Sequence, residues 1–275
     1  MKIQTVGKDT LISGVSPFSL KQTLDCGQCF RWDELEDGSF VGVVGKTVCR
    51  IKQTDDTLTF FDTDKDYFET FWKNYFDFDL DYNAIREEIC KDAVMQKAGD
   101  YASGIRILKQ DAWETICSFI ISQNNNIKRI KGIVKRLCDT FGEPITDGYS
   151  TFPSYQTVAK LSLEDLAPLR SGFRAKYILD AAQKISNGEV DLVRIAKSDY
   201  ETAKAELMKI CGIGNKVADC ALLYGFYRLE AFPEDVWIKR AMAKLYPNGL
   251  PENCKRYAGI AQQYIFHFAR TSEDF

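Results

Sequence analysis

Residues 210–220 read ICGIGNKVADC, where two glycines flank one isoleucine and a lysine follows them. Gly212 and Gly214 permit positive φ angles and the close approach of other atoms. The segment before them, DYETAKAELMKI, is typical of a helix opened by a capping box of Ser198 and Glu201. The segment after them is typical of a second helix. The stretch therefore predicts a tight hairpin between two helices.

This hairpin suits a phosphate group, because the second helix begins with unpaired N–H groups and the positive end of its dipole. The pattern is not a Walker loop, because Lys216 lacks the glycine before it and the Ser or Thr after it. It is not a dinucleotide fingerprint, because Val217 stands where a third glycine belongs. The spacing therefore favours contact with a DNA backbone, which N–H groups bind without reading its sequence.

Lys216 adds a chemical possibility. An amine that is partly shielded from water has its charged form disfavoured, which frees a lone pair for attack on carbon. Simple pairing with a phosphate is the alternative. Asp235, in FPEDVWIKR, is expected to cap the helix that starts at Val236. From that position its carboxylate could also face Lys216 and stabilise positive charge on a sugar ring.

Composition limits the class of protein. The chain has 275 residues, 45% hydrophobic and 27% charged, with a formal net charge of -3. These values are typical of a soluble globular protein. The charge argues against coating of nucleic acid by bulk attraction but allows a local basic face. No segment has the pattern of a membrane span, a secretory signal or a transit peptide, so we expect a cytosolic chain.

Cysteine and histidine usage limits metal and acid–base chemistry. The nine cysteines are odd in number and irregularly spaced, so we expect reduced thiols. Cys26 and Cys29 form a lone CxxC motif, which is weak support for zinc. The single histidine, His267, lies in the aromatic run YIFHF. We expect it to be a buried structural residue.

Strand patterns precede helix patterns. Between Cys29 and Asp62, strand-like segments alternate with turn dipeptides, which predicts an antiparallel meander. The following DYFETFWKNYF has aromatic residues at helical spacing and predicts a core-facing helix, with a base-stacking platform as the alternative. We therefore predict an α+β chain with an antiparallel β domain over residues 1–100 and an all-helical domain over residues 101–275.

Two helices are expected soon after residue 100. Asp111 and Glu114 form a capping pair that opens DAWETICSFIISQ, and residues 124–126, all asparagine, interrupt that helix. The next helix, IKRIKGIVKRLCDTF, carries five cations on its outer face and no acid until near its end. This pattern predicts either a local basic strip or a merely solvated surface.

The motifs together resemble a known family. CGIGNKVADC followed by FPEDVWIKRA resembles the helix-hairpin-helix, loop and aspartate signature of the DNA glycosylase superfamily. More narrowly, SQNNNIKRIKGIVKRLC, GFRAKYI, KVADCALL, CGQCFRW and AQQYIF resemble 8-oxoguanine DNA glycosylases, in the family's order over nearly the whole chain. The resemblance implies a TATA-binding-protein-like β domain, a helical glycosylase domain and an active site between them.

The resemblance also implies a mechanism. The damaged nucleotide is flipped out of the stack before its sugar is attacked. Lys216 would attack the anomeric carbon, expel the base and form a Schiff base that permits strand cleavage by β-elimination. Asp235 would stabilise the oxocarbenium-like transition state.

The family's base contacts carry over to four residues. The carbonyl of Gly27 would accept a hydrogen bond from the N7 proton that only the oxidised purine carries. Cys220 would pack against the flipped base, Gln262 would bond its Watson–Crick edge, and Phe266 would cover its other face. Without the resemblance, Gly27 is a turn glycine, Cys220 a small hydrophobic residue and Phe266 a core residue.

The family's DNA contacts carry over to further residues. Asn124 would fill the vacated space in the duplex, and Arg129 and Arg174 would grip the orphaned cytosine. Phe173 would be a wedge, at a position that is often tyrosine. A helix-ending asparagine and solvent-facing arginines are the alternatives.

Two positions depart from the family. Trp237 stands where many members carry a histidine near the phosphate, and Cys211 replaces a proline before the hairpin.

Gly212 and Gly214 would contact the DNA backbone. The resemblance implies no resident cofactor. Some glycosylase relatives carry an iron–sulfur cluster on four closely spaced C-terminal cysteines, but only Cys254 follows Cys220 in this sequence, so we expect no cluster. It allows K⁺ or Na⁺ on the backbone of the hairpin, from about residue 208 to residue 213.

The expected partner is double-stranded DNA that contains 8-oxoguanine. We expect no membrane association and no obligate protein partner, and we expect the chain to act as a monomer. We expect it with the nucleoid, or in a nucleus if the source is eukaryotic. Three other functions remain open at this point. A bare helix-hairpin-helix binding module needs neither Lys216 nor Asp235, and a monofunctional glycosylase for alkylated bases does not need the lysine. A small-molecule Schiff-base enzyme would usually show a barrel's repeating pattern.

Overall fold

A computed structural model describes residues 1–146 and 148–272. Its N-terminal part is a sheet of six strands, β1 to β6, which are Lys2–Val6, Asp9–Ser13, Trp32–Glu34, Phe40–Val44, Thr47–Thr54 and Thr57–Phe60. Their order in the sheet is β1-β2-β6-β5-β4-β3, and every neighbouring pair is antiparallel. The predicted antiparallel meander is confirmed. The sequence pattern did not indicate β1, because this edge strand is exposed at most of its positions and lacks apolar alternation.

An aromatic cluster packs against the sheet. A continuous helical segment, Lys65–Tyr67, Phe68–Trp72 and Lys73–Tyr75, widens to a π-helix in its middle part. Phe68, Trp72 and Tyr75 are buried against the sheet. The indole N–H of Trp32 donates to the Tyr75 hydroxyl at 3.0 Å. The predicted core-facing helix is therefore confirmed, and its buried rings are not available to stack on bases.

The rest of the described chain is mainly helical. Its helices are Leu20–Asp25, Tyr82–Ile89, Ala93–Tyr101, Ala112–Ser122, Ile127–Phe141, Tyr155–Val158, Arg174–Ser186, Leu192–Lys197, Tyr200–Leu207, Asn215–Gly225, Val236–Leu245 and Ala258–Thr271. Short 3-10 turns cover Ala167–Leu169 and Glu252–Tyr257, and Pro144–Thr146 pairs with Tyr149–Ser150. This mixed α+β architecture, a sheet followed by helices, is the predicted fold class.

The two cores interlock along the sequence. Cys26 and Phe30, which precede β3, are buried in the helical core, together with Met95 from the helix before residue 100. Leu108 packs in the core of the sheet. The chain therefore crosses between the cores more than once, and its division into domains at residue 100 stays a prediction.

None of the helices in residues 1–146 and 148–272 combines the length and apolar character of a membrane span.

Two local predictions were wrong. Ser198 does not cap the helix before the hairpin. The cap is Asp199, whose side chain accepts from the Thr202 N–H at 3.0 Å, while the Ser198 hydroxyl donates back to the Arg194 carbonyl at the end of the preceding helix. His267 is only partly buried and lies beside the Tyr101 ring.

Candidate active site

The predicted hairpin is present. It joins Tyr200–Leu207 to Asn215–Gly225. Gly212 has a φ of +81, and a Cβ at this position would overlap the ring of Tyr177. Gly214 differs from the prediction, because its φ of -100 is open to any residue. A Cβ at Gly214 would meet no atom within 4 Å. Gly212 is therefore required by local geometry, whereas Gly214 leaves the helix N-terminus open to an approaching group.

Lys216 lies in the first turn of the second hairpin helix and is partly buried. Its Nζ lies 3.3 Å from the Ser122 hydroxyl and 5.1 Å from the centre of the Phe119 ring. The Ser122 hydroxyl donates its own proton to the Phe119 carbonyl at 2.8 Å. Ser122 can therefore only accept from Lys216.

Asp235 caps the helix Val236–Leu245, as expected. Its Oδ1 accepts from the Ile238 N–H at 2.8 Å. This bond fixes the carboxylate beside the cavity that Lys216 also lines. The helix cap thus lines the same cavity as the amine.

One cavity brings together the predicted catalytic and base-contacting residues. It is lined by Lys216, Asp235, Gly27, Cys220, Gln262 and Phe266, together with Cys26, Phe119, Tyr224, Pro233 and Gln263. The cavity has a volume of about 60 Å³, which is smaller than a purine base. Phe266, one of the residues that line it, is partly buried.

The polar and apolar walls of this cavity are fixed by burial and hydrogen bonds. Gly27 has a φ of +87, which favours glycine at this turn. Burial raises the pKa of the Cys220 thiol to about 11, against the opposing effect of Lys216, so this thiol is neutral near pH 7. Gln262 is buried, and its Nε2 donates to the Pro233 carbonyl at 3.1 Å.

A second group of predicted residues forms one surface patch. Asn124 has a left-handed φ of 47, and the Arg174 side chain holds its loop. Arg174 Nε donates to the Gln123 carbonyl at 3.0 Å, and the same guanidinium donates to the Asn124 and Ser171 carbonyls. Arg174 is therefore buried, with 3% of its surface exposed, and does not face solvent as its residue type suggests.

Arg129 and Phe173 complete this patch. Arg129 is exposed. The pKa of Arg174 is lowered by the burial of Arg174 itself and by the charge of Arg129. Phe173 is 49% exposed, and its ring lies 4.5 Å from the Arg174 guanidinium carbon. The four predicted residues Asn124, Arg129, Phe173 and Arg174 thus lie together.

The basic strip on the helix Ile127–Phe141 is smaller than its sequence indicates. Lys131 pairs with Asp33 at 3.1 Å, Lys135 pairs with Asp139 at 2.7 Å, and Arg136 donates to the Leu169 carbonyl. The exposed cations Lys128 and Arg129 lie at the N-terminal end, next to the asparagine loop. The positive charge is therefore concentrated beside Asn124.

Trp237 lies two residues after Asp235 and is 45% exposed. The guanidinium carbon of Arg240 lies 6.0 Å from the centre of its ring. Its ring is thus accessible at a helix N-terminus, and its contact with a bound strand stays a prediction.

Among residues 1–146 and 148–272, no group of three or more His, Cys, Asp or Glu side chains could hold a metal ion. Cys26 and Cys29 are buried free thiols, and burial raises the pKa of Cys26 to about 12. K⁺ or Na⁺ on the hairpin backbone stays a prediction.

Two family models match consecutive parts of the chain. The N-terminal domain of 8-oxoguanine DNA glycosylase matches residues 10–116. The HhH-GPD superfamily base excision DNA repair protein matches residues 117–256. The chain belongs to the 8-oxoguanine DNA glycosylase family. It is a DNA N-glycosylase and DNA lyase of base excision repair.

Similar proteins agree with this assignment. The glycosylase is 32% identical over 259 residues to the N-glycosylase/DNA lyase of Saccharomyces cerevisiae, covering 84% of this chain and 69% of that protein. Two solved structures each match with a TM-score of 0.91 over 98% of both chains. One is MBOgg1 with a low affinity DNA ligand, at 41% identity. The other, at 33% identity, is the 8-oxoguanine glycosylase/lyase of Clostridium acetobutylicum with double-stranded DNA containing cytosine opposite 8-oxoG.

Sequence reasoning missed several residues that line the cavity of this glycosylase. Tyr224 follows Lys216 and Cys220 at successive helical turns, so the spacing could have indicated it. Its ring stacks on Phe119, with centroids 5.2 Å apart. Gln263 follows Gln262 directly in AQQYIF, but adjacent helical residues usually point in different directions, so this motif does not by itself place Gln263 in the cavity.

Proposed function

We propose that this glycosylase flips 8-oxoguanine out of double-stranded DNA into the Lys216 cavity and excises it through a covalent Schiff base. One observation carries the proposal: a single cavity is lined by the amine, the carboxylate of Asp235 and the residues expected to contact the base. The solved clostridial relative, a glycosylase/lyase with the same fold, adds support.

The reaction begins at C1′ of the flipped nucleotide. The uncharged Nζ of Lys216 attacks C1′ while the N-glycosidic bond breaks and its electron pair leaves with the base. Asp235 stabilises the positive charge that develops on the sugar. The attacking nitrogen then loses a proton, and opening of the sugar ring gives the Schiff base. Removal of a C2′ proton finally expels the 3′ phosphate by β-elimination, which breaks the strand.

Recognition of the base uses both sides of the cavity. The Gly27 carbonyl accepts from the N7 proton that 8-oxoguanine has and guanine lacks. Cys220, as a neutral thiol, and Phe266 cover the two faces of the base, and Gln262 bonds its Watson–Crick edge. The site thus distinguishes the lesion by a hydrogen that undamaged guanine lacks, because an unmet buried acceptor costs about 1–3 kcal/mol.

Preference for cytosine opposite the lesion is assigned to Arg129 and Arg174. Both lie beside Asn124, which we propose fills the vacated space in the duplex. Arg174 leaves the carbonyls of Gln123 and Asn124 to reach the orphaned base, so DNA binding and movement of this loop are coupled. Double-stranded DNA is the proposed partner of a monomeric enzyme, in the nucleoid or in a nucleus.

Borohydride trapping tests the covalent step. Duplex DNA with 8-oxoguanine opposite cytosine is expected to give an adduct that survives denaturation, and Lys216→Gln is expected to abolish it. The matched control is Lys209→Gln in the same hairpin, whose amine pairs with Glu206 at 2.9 Å. This variant is expected to keep its adduct. Equal trapping by Lys216→Gln and the wild type would remove Lys216 from the mechanism.

Single-turnover excision assays test the opposite-base preference. We expect faster single-turnover excision opposite cytosine than opposite the other bases, and a smaller difference in Arg129→Ala. Equal rates opposite all four bases in the wild type would contradict the assignment.

A further inference from the structure

Gln263 is a buried amide in the cavity whose role the proposed chemistry does not explain. Only 2% of its surface is exposed, and it lines the cavity beside Gln262. Its Nε2 donates to the Gln262 Oε1 at 2.8 Å and also to the Tyr224 hydroxyl. Both the NH₂ group and the oxygen of a buried amide normally have hydrogen-bond partners. An amide oxygen without a partner in this cavity therefore indicates a position that a ligand could complete.

The orientation of both amides follows from one carbonyl. The Pro233 carbonyl can only accept, so the Gln262 end that lies 3.1 Å from it must be the N–H end. Gln262 Oε1 therefore faces Gln263, and the Gln263 atom at 2.8 Å from it must in turn be a nitrogen. Reversing either amide would bring two acceptors together. The Gln263 oxygen is thus fixed on the remaining side.

This oxygen is buried and unpaired. Within residues 1–146 and 148–272, the Gln263 Oε1 has no hydrogen-bond partner. Leaving a buried acceptor without a donor costs about 1–3 kcal/mol, which a bound ligand that supplies a donor would recover. The Tyr224 ring stacks on Phe119, which fixes the position of the Tyr224 hydroxyl. Because this hydroxyl accepts from the Gln263 Nε2, the Gln263 amide is held in place as well.

We propose that Gln263 is a specificity-determining residue whose Oε1 accepts a hydrogen bond from the 2-amino group of the flipped purine. This role rests on the proposed function, because it requires a purine in the cavity. The Watson–Crick edge of a guanine-type base carries two neighbouring donors, N1–H and the 2-amino group. Gln262 Oε1 keeps one lone pair for the first of them, and Gln263 Oε1 supplies the second acceptor.

The same arrangement rejects adenine-type bases. Such a base has no 2-amino group and has an acceptor at N1, so both glutamine oxygens would face an acceptor or an apolar C–H. A site built around a substrate donor discriminates strongly against an analogue that lacks it, because the buried acceptor is then left unpaired. Gln263 therefore adds selection for guanine-type lesions to the N7 contact of Gly27.

The test compares two bases in two enzymes. One duplex carries 8-oxoguanine, and the other carries 8-oxohypoxanthine, which differs only by lacking the 2-amino group, both opposite cytosine. Single-turnover excision rates are measured for the wild type and for Gln263→Leu. Loss of the bonds to Tyr224 and Gln262 slows the variant on both bases, and this common effect cancels in the ratio of the two rates.

We expect the wild type to favour 8-oxoguanine and this preference to fall by about 10-fold to 100-fold in Gln263→Leu. An unchanged ratio in an active variant would overturn the role of Gln263 alone. Failure of the wild type to excise 8-oxoguanine would instead overturn the proposed function.

Tyr224→Phe provides a second variant that keeps the stacked ring. It removes the hydroxyl that holds the Gln263 amide, so the same ratio is expected to fall by a smaller factor. If Gln263→Leu does not fold, an unchanged ratio in Tyr224→Phe would overturn the proposal.

Discussion

Replacing Arg174 by alanine should destabilise the protein even when no DNA is present. The guanidinium bonds three carbonyls, those of Gln123, Asn124 and Ser171. Hydrogen bonds from a charged group contribute about 1.5–3 kcal/mol each, but such values are not additive. Water can also reach the carbonyls of the partly exposed loop after the substitution. We therefore expect the free energy of unfolding to fall by about 2–3 kcal/mol in total.

Urea unfolding of the free protein measures this change directly. The matched control is Arg129→Ala, because Arg129 lies in the same patch but is exposed, and its loss should change stability by less than about 0.5 kcal/mol. The melting temperature of Arg174→Ala should fall by roughly 5 to 10 °C. Equal stability of the two variants would show that the Arg174 side chain is free in solution and would refute its role in holding the loop.

Two further predictions concern stability. Gly212→Ala should lose about 2 kcal/mol or more in urea unfolding, because its φ of +81 is strained for alanine and its Cβ would overlap Tyr177. Gly214→Ala is the control, and equal losses in both would contradict the assignment. Burial raises the pKa of Glu114 to about 7 from 4.5, against the opposing charge of Arg31. Since the folded-state pKa of Glu114 lies above its unfolded value, the contribution of this group to stability is greatest below about pH 4.5 and is lost as the pH rises through about 7. Between pH 5 and pH 8 the free energy of unfolding should therefore fall by about 2–3 kcal/mol from this group. Urea unfolding of Glu114→Gln should show a weaker pH dependence than the wild type. Identical pH dependences of the two proteins would refute the raised pKa of Glu114.

Features carried by local spacing could be predicted from the sequence. The hairpin follows from the position of Gly212 between two helical patterns, and the Asp235 cap follows from its place directly before Val236. The meander could be predicted because its strands alternate apolar and polar residues. In each case the determining contacts lie within a few residues of one another along the chain.

Features that depend on distant contacts could not be predicted. Arg174 is buried because carbonyls of the asparagine loop, far away in sequence, accept its hydrogen bonds. The orientation of the Gln262 and Gln263 amides depends on the Pro233 carbonyl, which arrives from another segment. The Ser198 error has a different cause, because Ser198 and Asp199 are both good cap residues and spacing alone does not choose between them.

The cavity itself was expected only through the family resemblance. Spacing places Lys216 and Cys220 on one helix face, but it does not bring Gly27 and Phe266 from opposite ends of the chain to the same space. Their meeting depends on the interlocked cores, in which Cys26 and Phe30, on either side of Gly27, pack among the helices.

The central claim is that the amine of Lys216 becomes bonded to the deoxyribose C1′ of the excised nucleotide. Mass spectrometry of the borohydride-reduced complex, after digestion of protein and DNA, tests it most directly. We predict that the peptide containing Lys216 carries the sugar fragment and that no other lysine does. A fragment on another residue, or strand cleavage at 8-oxoguanine without any lysine adduct, would contradict this account.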